Sequence, residues 1–294
     1  MNNSFMYRIW PALALIFPLT GLATGSVNET REMAADGHVI VENMAGSVEF
    51  SVWDEAKIEI NGKLGSDVEK VEITESAKGI HVRVRHKSDI KRVEDTNLFL
   101  RIPVAASVEA ESISADIDVD GSRGKSIEVN TVSGDVEIDS SPQRLEIHSV
   151  SGDVEFEGAT SRSSVETVSG EITVNGVSGE VNVSTVSGDV SLIAQEVGRG
   201  RFESVSGDMK LDLDVSDGGR LSSESMSGDL VLRLPSKQQA SFSAQTYSGD
   251  IRSDFGEAAR GSKGPGSILE YHEGSNGTTI RLDSFSGDIH IRRR

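Results

Sequence analysis

The sequence predicts an all-β protein wound as a single-stranded parallel β-helix, or β-solenoid, with two short strands in each coil. Three observations support this fold class. A four-residue motif recurs at nearly regular intervals, short apolar–polar–apolar triplets flank each copy, and the region shows no 3.6-residue apolar stripe of the kind that helices need. A stack of similar coils accounts for all three observations.

The repeated motif is an apolar residue followed by Ser-Gly-Asp, with Glu replacing Asp in one copy. Its acidic residues are 18 to 21 positions apart, and the last gap of 38 equals two periods. Ile113-Ser-Ala-Asp116 fits as an earlier, degenerate copy. We expect each Gly to relieve a corner that needs positive φ, and each Ser and acidic residue to hydrogen-bond local backbone. This predicted structural turn ladder comprises Gly134, Asp135, Gly152, Asp153, Gly170, Glu171, Gly188, Asp189, Gly207, Asp208, Gly228, Asp229, Gly249, Asp250, Gly287 and Asp288.

The triplets predict two strands per coil. Val136-Glu137-Ile138 follows one motif and Ile127-Glu128-Val129 precedes it, and alternation of this kind puts one face in a core and the other in water. Between Val129 and Val132 the inside/outside alternation slips, which predicts a corner instead of one long strand.

Two strands and two corners per period are compatible with a parallel coil or with antiparallel hairpins. Hairpins would need Asn-Gly or Asp-Gly loops between consecutive strands, whereas here the two halves are joined differently and like halves recur one period apart. The coil is therefore favoured, with Val136, Val154 and Ile172 in one internal ladder. Parallel crossovers are usually right-handed, and we expect the same here.

The chain divides into three predicted regions. Residues 1–25 are a predicted signal peptide, with a short apolar run broken by Pro11 and Pro18 and a small-residue cleavage site after Ala23 or Gly25. Residues 26–103 are predicted to form a less regular β section that caps the solenoid. Residues 104–294 contain the regular coils, interrupted by a Gly-rich loop at 256–266.

Composition limits the possible partners. The chain has no cysteine, so disulfides and thiolate chemistry are excluded, and its formal charge of −18 disfavours nucleic acid and anionic lipid. The predicted signal peptide indicates an exported protein of the periplasm or cell surface. No segment after the signal peptide is apolar enough to span a membrane.

The sequence predicts no catalytic, cofactor-binding or metal-binding residues. The six histidines occupy unrelated positions in the repeat and are interpreted as solvated strand residues. Repeated Ser-Gly-Asp units without a partnered His do not fit a Ser nucleophile, and a single, sometimes Glu-substituted acid per coil favours a structural turn over a calcium site. A polysaccharide-active β-helix enzyme is the remaining enzymatic alternative. Short corners and few aromatic residues speak against the cleft that it needs.

These features resemble the bacterial putative-adhesin family, a domain of unknown function with a β-helix-like stack. The resemblance rests on Val41–Val48, Ile58–Gly65, Leu98–Pro103, the Val-Ser-Gly-Asp units and Phe285–Ile291, in that order. It covers nearly the whole predicted mature chain and implies a component of the cell envelope or surface without catalytic residues.

Two non-enzymatic roles remain open. One is an adhesin-like binding module with an unidentified protein or envelope glycan as partner, and the other is a scaffold that polymerises end to end. Arg292-Arg293-Arg294 would charge the last strand and oppose stacking of ends, which favours a monomer or small oligomer.

Overall fold

The computed structural model describes residues 25–76, 79–88, 92–261, 266–275 and 277–294, together with the backbone of residues 19–22. Most of the predicted signal peptide and the centre of the predicted loop at 256–266 lie outside the described residues. In the described part of the chain all regular elements are strands, so it contains no helix that could cross a membrane. The strands are β1 (Leu19–Leu22), β2 (Ser26–Glu32), β3 (His38–Trp53), β4 (Lys57–Lys63), β5 (Val68–Ser76), β6 (Gly79–His86), β7 (Thr96–Pro103), β8 (Ser107–Asp120), β9 (Ser126–Ser133), β10 (Val136–Asp139), β11 (Arg144–Ser151), β12 (Val154–Ser169), β13 (Ile172–Ser187), β14 (Val190–Ser206), β15 (Met209–Ser227), β16 (Leu230–Leu234), β17 (Ala240–Ser248), β18 (Ile251–Ser253), β19 (Ala259–Arg260), β20 (Ser267–Glu273), β21 (Thr279–Ser286) and β22 (Ile289–Arg293).

The predicted fold class is confirmed. Equivalent residues of successive coils pair in parallel register, so that Val136 lies beside Val154 and Val154 beside Ile172. Each coil contributes to two faces. The first face is formed by the segment after each acidic residue, such as Val136–Asp139, and the second face by the segment before each motif, such as Arg144–Ser149.

Strand pairing fixes the order of each stack. On the first face the order is β2, β4, β7, β3, β8, β10, β12, β13, β14, β15, β16, β22 and β18. On the second face it is β1, β5, β6, β3, β8, β9, β11, β12, β13, β14, β15, β21, β17, β20 and β19. The long strands β3, β8 and β12 to β15 belong to both faces.

The core lies between the two faces. Its inward columns are built from Val, Ile and Leu, with Phe50, Phe156, Phe202 and Phe242 as the largest fully buried side chains. Burying an apolar side chain of this size contributes about 2 kcal/mol, so several such residues per coil offset the cost of ordering the chain without disulfides.

Several strands are longer than expected. Strands β12 and β13 have 16 residues each and β15 has 19, because they continue through the corner between the faces. Successive coils have nearly equal lengths, so their corner residues also find backbone partners. Where coil lengths differ, the register shifts instead, as between Ala194 and Val197.

The last coil does not follow the chain order. The sequence pattern suggests that the gap between Asp250 and Asp288 holds two periods, but it contains the antiparallel strands β19 and β20, the first of which lies inside the predicted loop. Strands β21 and β22 then insert between β15–β16 and β17–β18. The expectation that Arg292–Arg294 charge the final strand is therefore wrong, since on the first face β18 lies outside β22.

The N-terminal end has a similar insertion. Strand β3 lies in the stack between β8 on one side and β6 and β7 on the other, and all three pairings are parallel. Outside it the pairings become antiparallel, with β5 against β6 and with β4 between β2 and β7.

Candidate functional site: a groove along the coils

The residues of the predicted turn ladder lie in one column along the solenoid, with the Asp288 coil between those of Asp229 and Asp250. Their hydrogen bonds differ from the expected local ones. The carboxylate Oδ1 of Asp135 accepts the backbone N–H of Asp153 at 2.9 Å, and Asp189 likewise accepts the N–H of Asp208 at 2.8 Å. The motif serines also reach across coils, since the Ser151 hydroxyl donates to the Val132 carbonyl. Both side chains therefore join neighbouring coils.

The motif glycines are required mainly by close packing of backbones. A Cβ on Gly188 would lie 2.0 Å from the carbonyl oxygen of Gly170, and one on Gly152 would lie 2.3 Å from that of Gly134. Most of the motif glycines also have positive φ, for example 123° at Gly134. Gly188 and Gly249 do not, so positive φ is not the common reason for glycine in this column.

The apolar residue that opens each motif points outward. Alternation continues from Val129 through the buried Thr131, so Val132 lies on the outer surface with 49% of its side chain exposed. The expected slip between Val129 and Val132 is therefore wrong, and the corner comes after Val132. We call the resulting row of exposed residues the apolar stripe. In spatial order it comprises Ile113, Val132, Val150, Val168, Val186, Val205, Met226, Phe285 and Tyr247.

A groove runs beside the apolar stripe. Its second wall is the outward column of the second face, which contains Glu111, Asn130, His148, Glu166, Ser184, Glu203, Glu224, Asp283 and Gln245. Its floor is a column of small buried hydroxyl residues, such as Thr131 and Ser149, that lie between the walls. Coils are stacked about 4.8 Å apart, so the nine stripe residues extend over roughly 40 Å.

The C-terminal section of the groove contains a concavity with a volume of about 570 Å³. Here the stripe residues become larger, and the rings of Tyr247 and Phe285 stack at 5.2 Å between centroids and 5° between planes. Their edges and the Met226 side chain form one apolar wall. The opposite wall carries Glu203 and Glu224 with Asp283.

The floor changes at this section. Thr131, Ser149 and Thr167 each donate a hydrogen bond to the carbonyl two residues later in the chain. The hydroxyls of Thr185, Ser204, Ser225 and Ser284 have no hydrogen-bond partner although each residue is at most 8% exposed. Leaving a buried hydroxyl unpaired costs about 1–3 kcal/mol, so this section has polar capacity that the fold itself does not use.

The N-terminal end of the groove is charged differently. Beside Met44, which pairs in register with the Ile113 position, the wall contains Glu42 and the basic residues Arg83 and Arg85. Partial burial would raise the pKa of Glu42, but the hydrogen bonds and charges of Arg83 and His81 outweigh it and hold that pKa below its usual value. The Arg83 guanidinium and the His81 Nε2 both contact Glu42 Oε1.

His86 differs from the solvated strand residue that the sequence predicts. Its side chain is 6% exposed and its Nδ1 lies 2.9 Å from Asp67 Oδ2, whose side chain is 7% exposed. Burial alone would raise the pKa of Asp67, but hydrogen bonds from His86 and the backbone of Glu94 lower it. The ion pair joins β6 to the segment before β5, and Asp67 Oδ1 also accepts the backbone N–H of Glu94 before β7. The role of this pair is therefore structural.

The groove combines an apolar wall, a charged wall and a floor of small hydroxyl residues. Among the described residues no cluster of His, Asp and Glu side chains is arranged to hold a metal ion. The apolar stripe could have been found from sequence by extending the alternation from Val129 past Thr131. An apolar residue at an outward position, repeated in every coil, is the signal.

The chain is similar to a known protein family and to several solved structures. A family model, Toastrack DUF4097, matches residues 37–225 and, overlapping, 181–292. Among solved structures, a putative adhesin of Bacteroides fragilis NCTC 9343 is 11% identical, with 92% of this chain and 98% of that chain covered at a TM-score of 0.47. A putative lipid binding protein of Parabacteroides distasonis ATCC 8503 is 13% identical, with 92% and 98% covered at a TM-score of 0.42. No curated protein matches the sequence.

The two family matches together extend from Gly37 to Arg292 and so include the parallel stack, the turn ladder and the groove. The family resemblance inferred from the motif order is thereby confirmed. The chain belongs to the Toastrack DUF4097 family, a putative-adhesin family whose domain has no established function.

Proposed function

We propose that this chain is exported to the bacterial envelope and acts there as a non-enzymatic, adhesin-like binding protein, with the groove beside the apolar stripe as its binding surface. The observation that carries the proposal is the apolar stripe itself. One large apolar residue per coil is held between 46% and 59% exposed along nine coils. A contiguous apolar surface of this length is unusual unless a partner covers it.

The stripe is not needed to complete the core. Each coil already buries its own inward residues, such as Val165 and Ile172, which are 0% exposed. Replacing an outward Val by a polar residue would remove little buried area, so the fold alone gives no reason for a repeated apolar residue there.

The occupant that fits best is an extended protein segment with alternating apolar and basic side chains. Its apolar side chains would lie against Met226, Phe285 and Tyr247, and its basic ones against Glu203, Glu224 and Asp283. Carboxylates on one wall disfavour an anionic ligand.

Export is supported by the signal-peptide pattern of residues 1–25. We expect N-terminal sequencing of the protein recovered from the periplasm or medium to begin at Thr24 or Ser26. Recovery of the uncleaved chain from the cytoplasm would contradict export without affecting the groove.

Binding can be tested with a fluorescein-labelled ten-residue peptide of alternating Val and Lys, measured by fluorescence anisotropy. The wild-type chain should bind it, and should bind peptides of alternating Val and Glu or Ser and Lys at least about tenfold more weakly, because each lacks one of the two complementary features. Met226→Ser together with Phe285→Ser should weaken binding of the Val-Lys peptide by a similar factor.

The matched control is Phe99→Ser, which removes a residue that is 47% exposed on β7, away from the groove. It should leave binding unchanged. Equal binding of all three peptides, or equal loss in the control, would overturn the assignment to the groove. Preferential binding of neutral cell-wall oligosaccharides in the same assay would replace the protein segment by a glycan.

A further inference from the structure

The outer surface of the first face has an ordered charge distribution. Near the N-terminal end, the outward residues of β3, β8, β10 and β12 are almost all acidic. Near the C-terminal end, those of β15, β16, β22 and β18 are mainly basic. The acidic block comprises Glu49, Asp118, Asp120, Glu137, Asp139, Glu155 and Glu157. The basic block comprises Lys210, Arg233, Arg292 and Arg252.

The middle of this face is uncharged. Between the two blocks lie Thr173 and Asn175 on β13, followed by Ser191 and Ile193 on β14. Ile193 is 48% exposed although it is a large apolar residue. An uncharged centre with charged flanks is compatible with a protein–protein interface, because charged residues are depleted in the centre of such interfaces.

The described residues supply no countercharge to either block. In the described residues no member of the acidic block forms an ion pair with a cation, and no member of the basic block forms one with a carboxylate. Asp212, the exception to the positive charge at this end, is already paired with Arg294 at 2.8 Å.

The second face is different. Several of its outward charges pair with neighbours on the same surface, as in Arg201 with Glu203, Arg281 with Asp283 and His148 with Glu146. On this face oppositely charged residues are neighbours, whereas on the first face they are separated into two blocks.

The carboxylates of the acidic block repel one another. Partial burial raises the pKa of Asp118, and the neighbouring carboxylates of Glu137, Glu49 and Asp120 raise it further. A carboxylate with a raised pKa is one whose charged form is disfavoured in the folded chain, so the fold loses stability as pH rises through its titration. A cation placed over this block would reverse that effect.

We infer that the first face is the interface of an antiparallel homodimer, in which a second copy of the chain supplies the missing countercharges. A two-fold axis would lie across the solenoid between β13 and β14. Acidic coils of one copy then face basic coils of the other, and each contact occurs twice.

The coil count on each side of this axis is equal, which fixes the contacts. Counting outward, β12 faces the partner's β15, β10 faces β16, β8 faces β22 and β3 faces β18. Asp139 then faces Arg233 and Asp120 faces Arg292 of the second copy, while Glu49 faces Arg252. The two Ile193 side chains lie near the axis.

The size of the interface sets its expected strength. Ten coils at about 4.8 Å and four residues at about 3.3 Å give a flat area of roughly 600 Å² per copy, at the small end for specific interfaces. Electrostatic attraction must therefore supply much of the affinity. We expect a dimer that dissociates as salt rises, because the screening length falls from about 10 Å at 0.1 M to about 3 Å at 1 M salt.

Sedimentation velocity of the purified chain over a range of concentrations tests this inference. The wild type should dimerise at low salt, with a dissociation constant that rises at least about tenfold at high salt. Asp139→Arg alone and Arg233→Asp alone should each raise it by a similar factor, because each places like charges together twice. An equimolar mixture of the two variants should dimerise again, since the two substituted side chains then form a pair of opposite charges at one contact and the native pair forms at the other.

Two controls change the charge by the same amount away from the first face. Glu69→Arg and Arg220→Asp replace exposed residues on β5 and at the second-face end of β15, and both should leave the dimer unchanged. A wild type that stays monomeric at low salt and high concentration would overturn the inference. So would growth beyond a dimer, equal effects of the controls, or failure of the mixed variants to associate.

Discussion

The middle of the solenoid and its two ends are built by different rules. From β9 to β15 each coil lies beside the coil that precedes it in the chain, and paired residues are 17 to 21 positions apart. At the ends, a strand that is distant in sequence enters the stack. Strand β3 separates β8 from β6 and β7, while β21 and β22 separate β15 and β16 from β17 and β18.

The difference shows what the repeated motif determines. The motif fixes the shape of a coil, including the glycine backbone contact and the carboxylate that accepts a neighbour's N–H. Since all coils share these features, any coil can lie next to any other. The order at the C-terminal end is set instead by β20, which pairs antiparallel with β17 and occupies the side that a further coil would need.

The largest expected effect comes from cross-linking the C-terminal end. Ser227→Cys with Ser286→Cys should form a disulfide nearly completely on mild oxidation, because these two residues are direct partners across adjacent strands. The natural chain has no cysteine, so the background is clean. Cross-linking is read from gel mobility under non-reducing conditions.

The matched pair is Ser227→Cys with Ser248→Cys, which would be neighbours if the coils followed chain order. In the structure Ser286 lies between them and pairs with both, so two strand spacings of about 4.8 Å exceed the Cα separation that a disulfide allows. Efficient cross-linking of this second pair would mean that the C-terminal coils stack in sequence order.

A smaller but still large effect is expected in the middle. Gly188→Val should lower the free energy of unfolding by about 3 kcal/mol, because its Cβ would lie 2.0 Å from the Gly170 carbonyl oxygen and push two coils apart. Urea unfolding followed by circular dichroism measures the change. Gly198→Val is the control, since the nearest atom to its Cβ is 3.6 Å away, and a similar loss there would show that glycine matters for another reason.

The smallest effect is expected at the neighbouring acid. Asp189→Asn should change the free energy of unfolding by no more than about 0.5 kcal/mol, because the Asn oxygen can still accept the N–H of Asp208 and repulsion along the acidic column is reduced. Asp189→Ala, which removes the acceptor, should cost about 1 kcal/mol. If Asp189→Asn were the more damaging change, the carboxylate column would have to bind a ligand.

The regular features of the fold were accessible from sequence. The interval between Asp135 and Asp153 predicts the period, and the triplets predict which residues enter the core, since Val136 and Ile138 are both buried. These predictions succeed because they depend on local alternation, which is repeated in every coil and is not changed by what lies next to it.

Other features depend on contacts that a single coil does not reveal. The sequence suggests that Ser and Asp side chains bond their own turn, but the atoms one coil away lie at a more suitable distance. The position of β22 inside the stack depends on the antiparallel strand β20, for which the motif has no counterpart. The apolar character of Val132 predicts an inward side chain, whereas the alternation that continues through Thr131 places it on the outer surface.

The insertion of β22 also affects how the molecule responds to mechanical force. An edge strand peels away one hydrogen bond at a time when its end is pulled. Strand β22 is bonded on both sides, to β16 and to β18, and lies parallel to both. A pull on Arg294 along the strand would have to shear the two ladders together, and its ion pairs with Asp212 and Asp214 add resistance at the point of loading. We therefore expect the C-terminal strand β22 to resist a pulling force better than an edge strand would.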